Sequence, residues 1–350
     1  VNRPGSTCGG LENFYTVGTR LADCIHVGAQ TKQVHRNNCA GMVSENLFNR
    51  AGLNVEGFAV DIDEDRGGAA VDNDVGGGNP SEGGDDDLVA LADVSRDNFI
   101  LPALSNKVQS WRDELMSGIG VKYVTGLTVD SFTRTETEIA FWGIGHHMGI
   151  PGPQNPDREL LRHVKDYGES TRDPFVRLYR ASSNIRYHCD ATDIVGLLCL
   201  YPEKSGGQSQ IISIVTLFNE LMEERPHLVP RMFEPFRMDL RGETRPGAIP
   251  YSLITPSQFA EGQLRTFYHS DYFRSVERHE GIELTPVERE ILDFYDEKGL
   301  DPRLYLDMSL ERGDMQFLST HFIAHARTAY EDYDDPEMKR HLLRLWLSAA

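Results

Sequence analysis

Positive charge is scarce in this chain of 350 residues: 35 Lys and Arg stand against 54 Asp and Glu, a formal net charge of -19. Binding to nucleic acid or to an anionic membrane needs clustered cations that displace counterions, so neither partner is expected. A few arginines placed locally still suffice for a small anionic ligand. Long apolar runs are also missing. No stretch approaches the roughly 20 apolar residues of a membrane span, and the first thirty residues lack the apolar core of a secretory signal, so the chain reads as cytoplasmic. Cysteine is sparse and scattered. Cys8, Cys24, Cys39, Cys189 and Cys199 are odd in number and form no CxxC pair, which argues against a disulfide framework and a structural zinc site. There is no internal repeat, and the pattern is compatible with a homo-oligomer.

The chain changes texture along its length. Residues 1–95 form a poorly defined N-terminal region with an acidic, glycine-rich loop at 61–87, DIDEDRGGAAVDNDVGGGNPSEGGDDD. Such a segment buries too little apolar surface to offset its ordering entropy. Asp61, Asp63 and Asp65 have the spacing of a calcium loop. Arg66, however, occupies the position that needs glycine, and Asp72 the position of the closing glutamate, so solvated charge is the better reading. From residue 96 onward the pattern becomes regular. Apolar spacing predicts helices at 103–117, 133–149 and 284–299, the last with Thr285 as N-cap and Pro286 in its first turn. Strands are expected at 120–127, 175–180, 313–332 and 339–348, and 209–226 reads as strand turning into helix. Short strands framed by helices, without a βαβ rhythm, suggest an antiparallel barrel or jelly roll with helical additions.

Residues 185–202, IRYHCDATDIVGLLCLYP, set His188, Cys189 and Asp190 directly before an apolar run. On a strand, His188 and Asp190 share a face and Cys189 points away from it. Two such ligands and one more histidine would make the 2-His-1-carboxylate set that suits Fe(II) oxygen chemistry. Roughly one HxD triplet is expected by chance in a chain of this composition, and a second occurs at His269-Ser270-Asp271. The first is preferred because it leads into a core strand that could hold a metal rigidly. His269 is expected at the surface or in a helix turn.

From about residue 97 to the end, four motifs in order resemble the taurine dioxygenase (TauD/TfdA-like) family of Fe(II)/2-oxoglutarate oxygenases, which includes clavaminate synthase-like enzymes. They are YHCD at 187–190, GGQS at 206–209, the stretch 313–332 containing AHAR, and KRHLLRLWL at 339–347. The resemblance implies a mainly β fold with helical additions around a double-stranded β-helix (jelly-roll, cupin-like) core, in an oxygenase domain spanning 96–350. It implies His188, Asp190 and His325 as the iron ligands. Arg340 and Ser209 would hold the distal carboxylate of 2-oxoglutarate, because a guanidinium is planar, always charged and bidentate. His321, four residues before His325, would share its face on a strand and act as its hydrogen-bonding neighbour.

Arg344 shares a face with Arg340, and the resemblance assigns it to an anionic group on the substrate. The competing reading pairs it with an internal carboxylate. WGIGHHMGIPGPQN, 142–155, resembles the segment at the substrate entrance and brings His146 and His147 forward, for capping or for substrate contact. Tyr179 and Asn184 could line the same pocket. The implied activity is O2-dependent oxidation of a small, anionic or amino-acid-like molecule, with release of succinate and CO2. Hydroxylation comes first, with desaturation or cyclisation as further outcomes, and the carboxylate at Asp190 disfavours halogenation. The rivals are a cupin-type oxygenase or metal-dependent hydrolase that does not use 2-oxoglutarate, and a non-catalytic binding protein on a degenerate barrel.

Overall fold

The computed structural model describes residues 91–349, apart from 92–93, 102–103, 156, 169–179, 245–246 and 261. The acidic loop at 61–87 and the calcium-like spacing within it lie outside the described residues. So does the expected strand at 175–180, except Arg180. The other predicted elements are present within a few residues. Helix α1 covers Ser105–Ser117, α2 Arg134–Met148, α3 Ile214–Glu224, α4 Ser270–Arg274 and α5 Pro286–Lys298. Two of them start at capping boxes, Thr133 with Glu136 and Thr285 with Glu288, each of which satisfies backbone N–H groups that a helix start leaves open.

The strands form two main antiparallel sheets. The larger runs β1 (Val121–Val124), β13 (Met315–Ser319), β5 (Ile194–Tyr201), β16 (His341–Ser348) and β2 (Ile150–Pro151), with β3 (Leu161–Val164) also on β16. The smaller runs β12 (Tyr305–Met308), β7 (Ser209–Ser213), β14 (Ile323–Arg327) and β4 (Ile185–His188). The two-residue strands β6 (Ser205–Gly206) and β15 (Tyr330–Glu331) pair beside them. Two hairpins cap one end: β8 (Phe236–Asp239) with β9 (Tyr251–Ile254), and β10 (Ser257–Ala260) with β11 (Gln263–Thr266). From β3 to β7 and from β12 to β16 the strands of the two main sheets alternate between them, as a jelly roll requires. The expected strand at 313–332 is broken by a turn at 320–322, so β13 lies in one sheet and β14 in the other.

Alternation along the central strands separates two layers. Leu343, Leu345 and Leu347 of β16, with Ile194, Leu198 and Leu200 of β5, pack against Phe141, Trp142, Trp111 and Leu115 of α1 and α2. Leu342, Arg344 and Trp346 of β16, with Val195 and Leu197 of β5, turn instead into a cavity between the sheets. The apolar run after Asp190 is therefore buried on both faces, which explains its lack of alternation in polarity.

Gly196 sits where β5 meets the helices. A Cβ there would lie 2.7 Å from the Phe317 ring and 3.4 Å from that of Phe141. Gly196→Val should destabilise the fold by about 1–3 kcal/mol through overpacking, read as a lower urea midpoint with an unchanged slope. An unchanged midpoint would contradict this packing.

Candidate active site

His188 is the last residue of β4, and it stands directly opposite His325 on β14. Opposed residues of an antiparallel pair share a face, and the two rings lie with centroids 4.2 Å apart. His188 Nδ1 lies 2.9 Å from the Arg186 carbonyl oxygen. Donation there leaves Nε2 free to act as a ligand.

Asp190 arrives by another route than expected. The strand stops at His188, and the chain leaves the small sheet for the large one through residues 189–193. The Cys189 N–H donates to the Tyr268 carbonyl at 2.7 Å. The Cys189 thiol turns into the core, 3.8 Å from the carbonyls of Thr266 and Ile323. Burial pushes that thiol up to about 12, so it stays protonated. The crossing loop is tied down at its far side. The Asp193 carboxylate meets His321 Nε2 at 2.6 Å and accepts the Ala349 N–H at 2.8 Å, and the Thr192 hydroxyl donates to Leu347 at 2.9 Å. His321 is therefore no strand neighbour of His325; it lies in the 320–322 turn and braces the loop that carries Asp190.

His188, Asp190 and His325 each offer a ligand atom within 4.8 Å of the others. Asp190 Oδ2 is 3.5 Å from His325 Nε2 and is buried without a hydrogen-bond partner. Burial, then the neighbouring His188, lowers His325 to about 3, so its ring is neutral. Burial pulls the Asp190 carboxyl upward, but Arg344, His325 and His188 outweigh that effect and hold it below the usual carboxylate value. Two neutral imidazoles and one ionised carboxylate, with an orphaned oxygen between them, fit a divalent cation such as Fe(II).

The three residues line a cavity of about 510 Å³. At one end Arg340 is 4% exposed; its Nε donates to Glu203 at 2.9 Å while Nη1 is buried without a partner. Glu203 fits beneath Gly207, whose φ is +68° and whose absent Cβ would fall 2.4 Å from the Glu203 carboxyl carbon. Ser209 lines the same end, and its hydroxyl donates across the sheets to Gln316 Oε1 at 3.1 Å. Opposite Ser209 on β14 stands Arg327, which donates to the carbonyls of Ala181 and Ser183 and keeps Nε and Nη1 unpaired. Burial and the nearby Arg340 lower Arg327 to about 10.

Arg344 stands between the cavity and an internal carboxylate. It lines the cavity, and Nη1 lies 4.0 Å from Asp190 Oδ1. Gln154 fixes its direction. Gln154 Oε1 accepts from Arg344 Nε at 2.8 Å, and its amide donates to the carbonyls of Arg344 and Leu160. The end of the 142–155 segment, Pro153 to Asn155, thus reaches the cavity.

His146 and His147 do not reach it. They sit on α2, behind the large sheet, where Gly145 abuts Leu345 and His147 Nε2 meets the Phe99 carbonyl at 2.7 Å. The helix ends before the segment turns inward, so both histidines belong to the helix–sheet layer. Asn184 is exposed before β4 and is not among the residues lining the cavity. Tyr179 lies outside the described residues. His269 departs from expectation: it directly precedes α4, as a helix-turn residue would, but its ring is 5.0 Å from His188 and it lines the cavity. The second HxD triplet was the available signal. Gln154 falls within the 142–155 segment that the resemblance put at the substrate entrance, whereas for Glu203 and Arg241 no local pattern pointed to the site.

Two outcomes follow from this geometry. On the role that the resemblance implies for Arg340, Glu203→Gln should raise the KM for 2-oxoglutarate several-fold with a smaller effect on kcat; an unchanged KM would contradict the positioning. His325 has a folded value near 3 against about 6.5 unfolded. Between those values the native state binds fewer protons than the unfolded chain, so stability falls as pH drops through 6.5 towards 3. The slope is at most about 1.4 kcal/mol per pH unit for this group. Metal-free protein should lose urea midpoint between pH 6.5 and 4.5, less so in His325→Gln.

A model of the Taurine catabolism dioxygenase TauD, TfdA family matches residues 87–346. FR-33289 synthase of Streptomyces rubellomurinus (strain ATCC 31215) is 30% identical over 260 residues, covering 73% of this chain and 77% of that protein. Taurine hydroxylase-like protein SAT17 of Stachybotrys chartarum is 27% identical over 263 residues, 72% and 67% of the two chains. The fold is shared with asparagine oxygenase in complex with Fe(II), 2S,3S-3-hydroxyasparagine and succinate. There the TM-score is 0.57 at 14% identity, over 71% of this chain and 80% of that one. It is shared also with the non-heme iron oxygenase OrfP in complex with Fe and alpha-ketoglutaric acid, at a TM-score of 0.55 and 14% identity, over 77% and 87%. The metal-dependent hydrolase and the non-catalytic barrel are thereby set aside: this chain belongs to the TauD/TfdA family and is a non-haem Fe(II)- and 2-oxoglutarate-dependent oxygenase.

Proposed function

We propose that His188, Asp190 and His325 hold Fe(II), that Arg340 with Ser209 receives the distal carboxylate of 2-oxoglutarate, and that Arg344 receives an anionic group of a small substrate. The observation that carries this reading is Arg340 Nη1, buried and unpaired at the end of the cavity that also contains the three ligands. A buried guanidinium N–H without an acceptor is costly, and a carboxylate supplies the missing partner. Bound Fe(II) supplies the activation of O2 that couples loss of CO2 from 2-oxoglutarate to oxidation of a C–H bond. The chain's own residues orient and exclude. Glu203 and the Tyr330 ring, 5.0 Å from the Arg340 guanidinium carbon, fix the anion-binding arm. Gln154 aims Arg344, and the apolar wall of Val195, Leu197 and Leu342 keeps water from the reacting carbon.

Hydroxylation of an anionic or amino-acid-like molecule is the outcome we assign. The family match, the arginines of the cavity and the amino-acid-related ligand named for asparagine oxygenase support it. The net charge of -19 supports a small-molecule partner over nucleic acid. No helix among the described residues is long and apolar enough to cross a membrane, and we assign the activity to the cytoplasm. The oxygenase domain is taken as 96–350, preceded by a separate N-terminal region over 1–95.

Anaerobic titration of Fe(II)-loaded protein with 2-oxoglutarate, followed by succinate measurement on admitting O2, tests the assignment. Wild type should form succinate in an Fe(II)-dependent way. His188→Ala should abolish it, and Arg340→Ala should weaken 2-oxoglutarate binding by roughly tenfold or more, as loss of a charge-assisted pair implies. Wild type indistinguishable from His188→Ala would sink the metal assignment.

A further inference from the structure

A second cationic arm enters the cavity from a wall that the family motifs do not reach. Asp239 closes β8 fully buried, with its carboxylate held by Arg278 at 2.7 and 3.1 Å and by His279 at 3.1 Å. The same carboxylate accepts the backbone N–H of Arg241 at 2.9 Å. This turn holds Arg241 at φ +47°, in the left-handed region that a side-chain-bearing residue adopts only at a cost. Gly242 follows at φ +84°. Glycine would serve the turn better at both positions, yet the first carries a guanidinium. Such conformations persist where the surroundings fix them, and they cluster at binding and active sites.

The Arg241 guanidinium carbon lies over the Tyr272 ring at 4.2 Å, and Nη2 reaches the Asp271 carbonyl at 3.5 Å. Its Nε is buried without a partner, and the residue lines the cavity. Among the described residues, no carboxylate forms an ion pair with it. Asp239 is taken by Arg278 and His279, Asp271 lies 3.9 Å from Arg186, and Asp190 belongs to the metal ligands. Glu243 is exposed at the rim.

We infer that Arg241 is a specificity-determining residue that binds a second anionic group, so that the substrate is a small diacid held between Arg241 and Arg344. This rests on the assignment of Arg344 to substrate above. Two fixed cations on separate walls recognise both length and charge: a molecule with one acidic group engages only one of them, and a diacid of the wrong length cannot reach both. Fastened at both ends, the chain between the acids is presented to the metal in one register.

The test is equilibrium binding to anaerobic protein loaded with Mn(II) and saturating 2-oxoglutarate. The probes are dicarboxylates, sulfonocarboxylates and phosphonocarboxylates of three to six carbons, each compared with its monoamide. At least one diacid should bind roughly tenfold tighter than its monoamide. Arg241→Gly should erase that preference while melting no lower than wild type, because it relieves the positive φ. Arg241→Lys should keep part of the preference, and all variants should bind 2-oxoglutarate as wild type does. Retention of the full preference in Arg241→Gly overturns the inference, and so does the absence of any diacid preference in wild type. Failure of wild type to bind Mn(II) and 2-oxoglutarate would overturn the underlying site assignment as well, which separates the two failures.

Discussion

The pairing of β4 with β14 puts His188 opposite His325, and the rest of the site depends on that register. Side chains on a strand alternate faces, so a slip of one residue would turn one imidazole out of the cavity. The register is held by the apolar neighbours. Ala324 and Ala326 of β14 are buried, and His325 also stands against Ile211 of β7, itself in the core. The carboxylate then comes from the segment crossing between the sheets, braced by Thr320, His321 and the end of β16. Both sheets must therefore be formed before the three ligands meet.

Charge is arranged against the average of the chain. The protein is strongly acidic overall, yet its main cavity gathers Arg241, Arg327, Arg340 and Arg344. Backbone carbonyls hold Arg327, Glu203 holds Arg340, Gln154 and Asp190 flank Arg344, and a tyrosine ring lies against Arg241. Such a concave, partly desolvated surface concentrates small anions, while the acidic exterior discourages polyanions. Burial keeps His325 neutral, while Arg344 and the two histidines hold Asp190 ionised against its own burial, giving the protonation states a divalent cation requires.

The motifs that read directly from the sequence are those whose chemistry is carried by residue type and local spacing. HCD, AHAR and KRHLLR lie on or beside strands, and period-2 alternation already placed Arg340 and Arg344 on one face. His321 was misplaced because a three-residue turn interrupts what looked like continuous strand, and nothing in STHFIAHAR marks that break. Asp190 comes beside His188 and His325 on a loop, where a continued strand was expected. His146 and His147 were drawn in by their neighbourhood, but the helix carrying them packs on the outer face of the sheet. Gln154, Glu203, Arg241 and His269 come to the cavity from separate segments, and contacts over such separations leave no periodic trace in a single chain.

The most direct test of the account is a crystal structure of the protein grown anaerobically with Fe(II) and 2-oxoglutarate. It should show one metal bound by His188, Asp190 and His325, with the distal carboxylate of 2-oxoglutarate against Arg340 Nη1 and Glu203 still on Nε. Metal bound through His269 in place of His325, or 2-oxoglutarate anchored on Arg344 with Arg340 left to Glu203 alone, would contradict it.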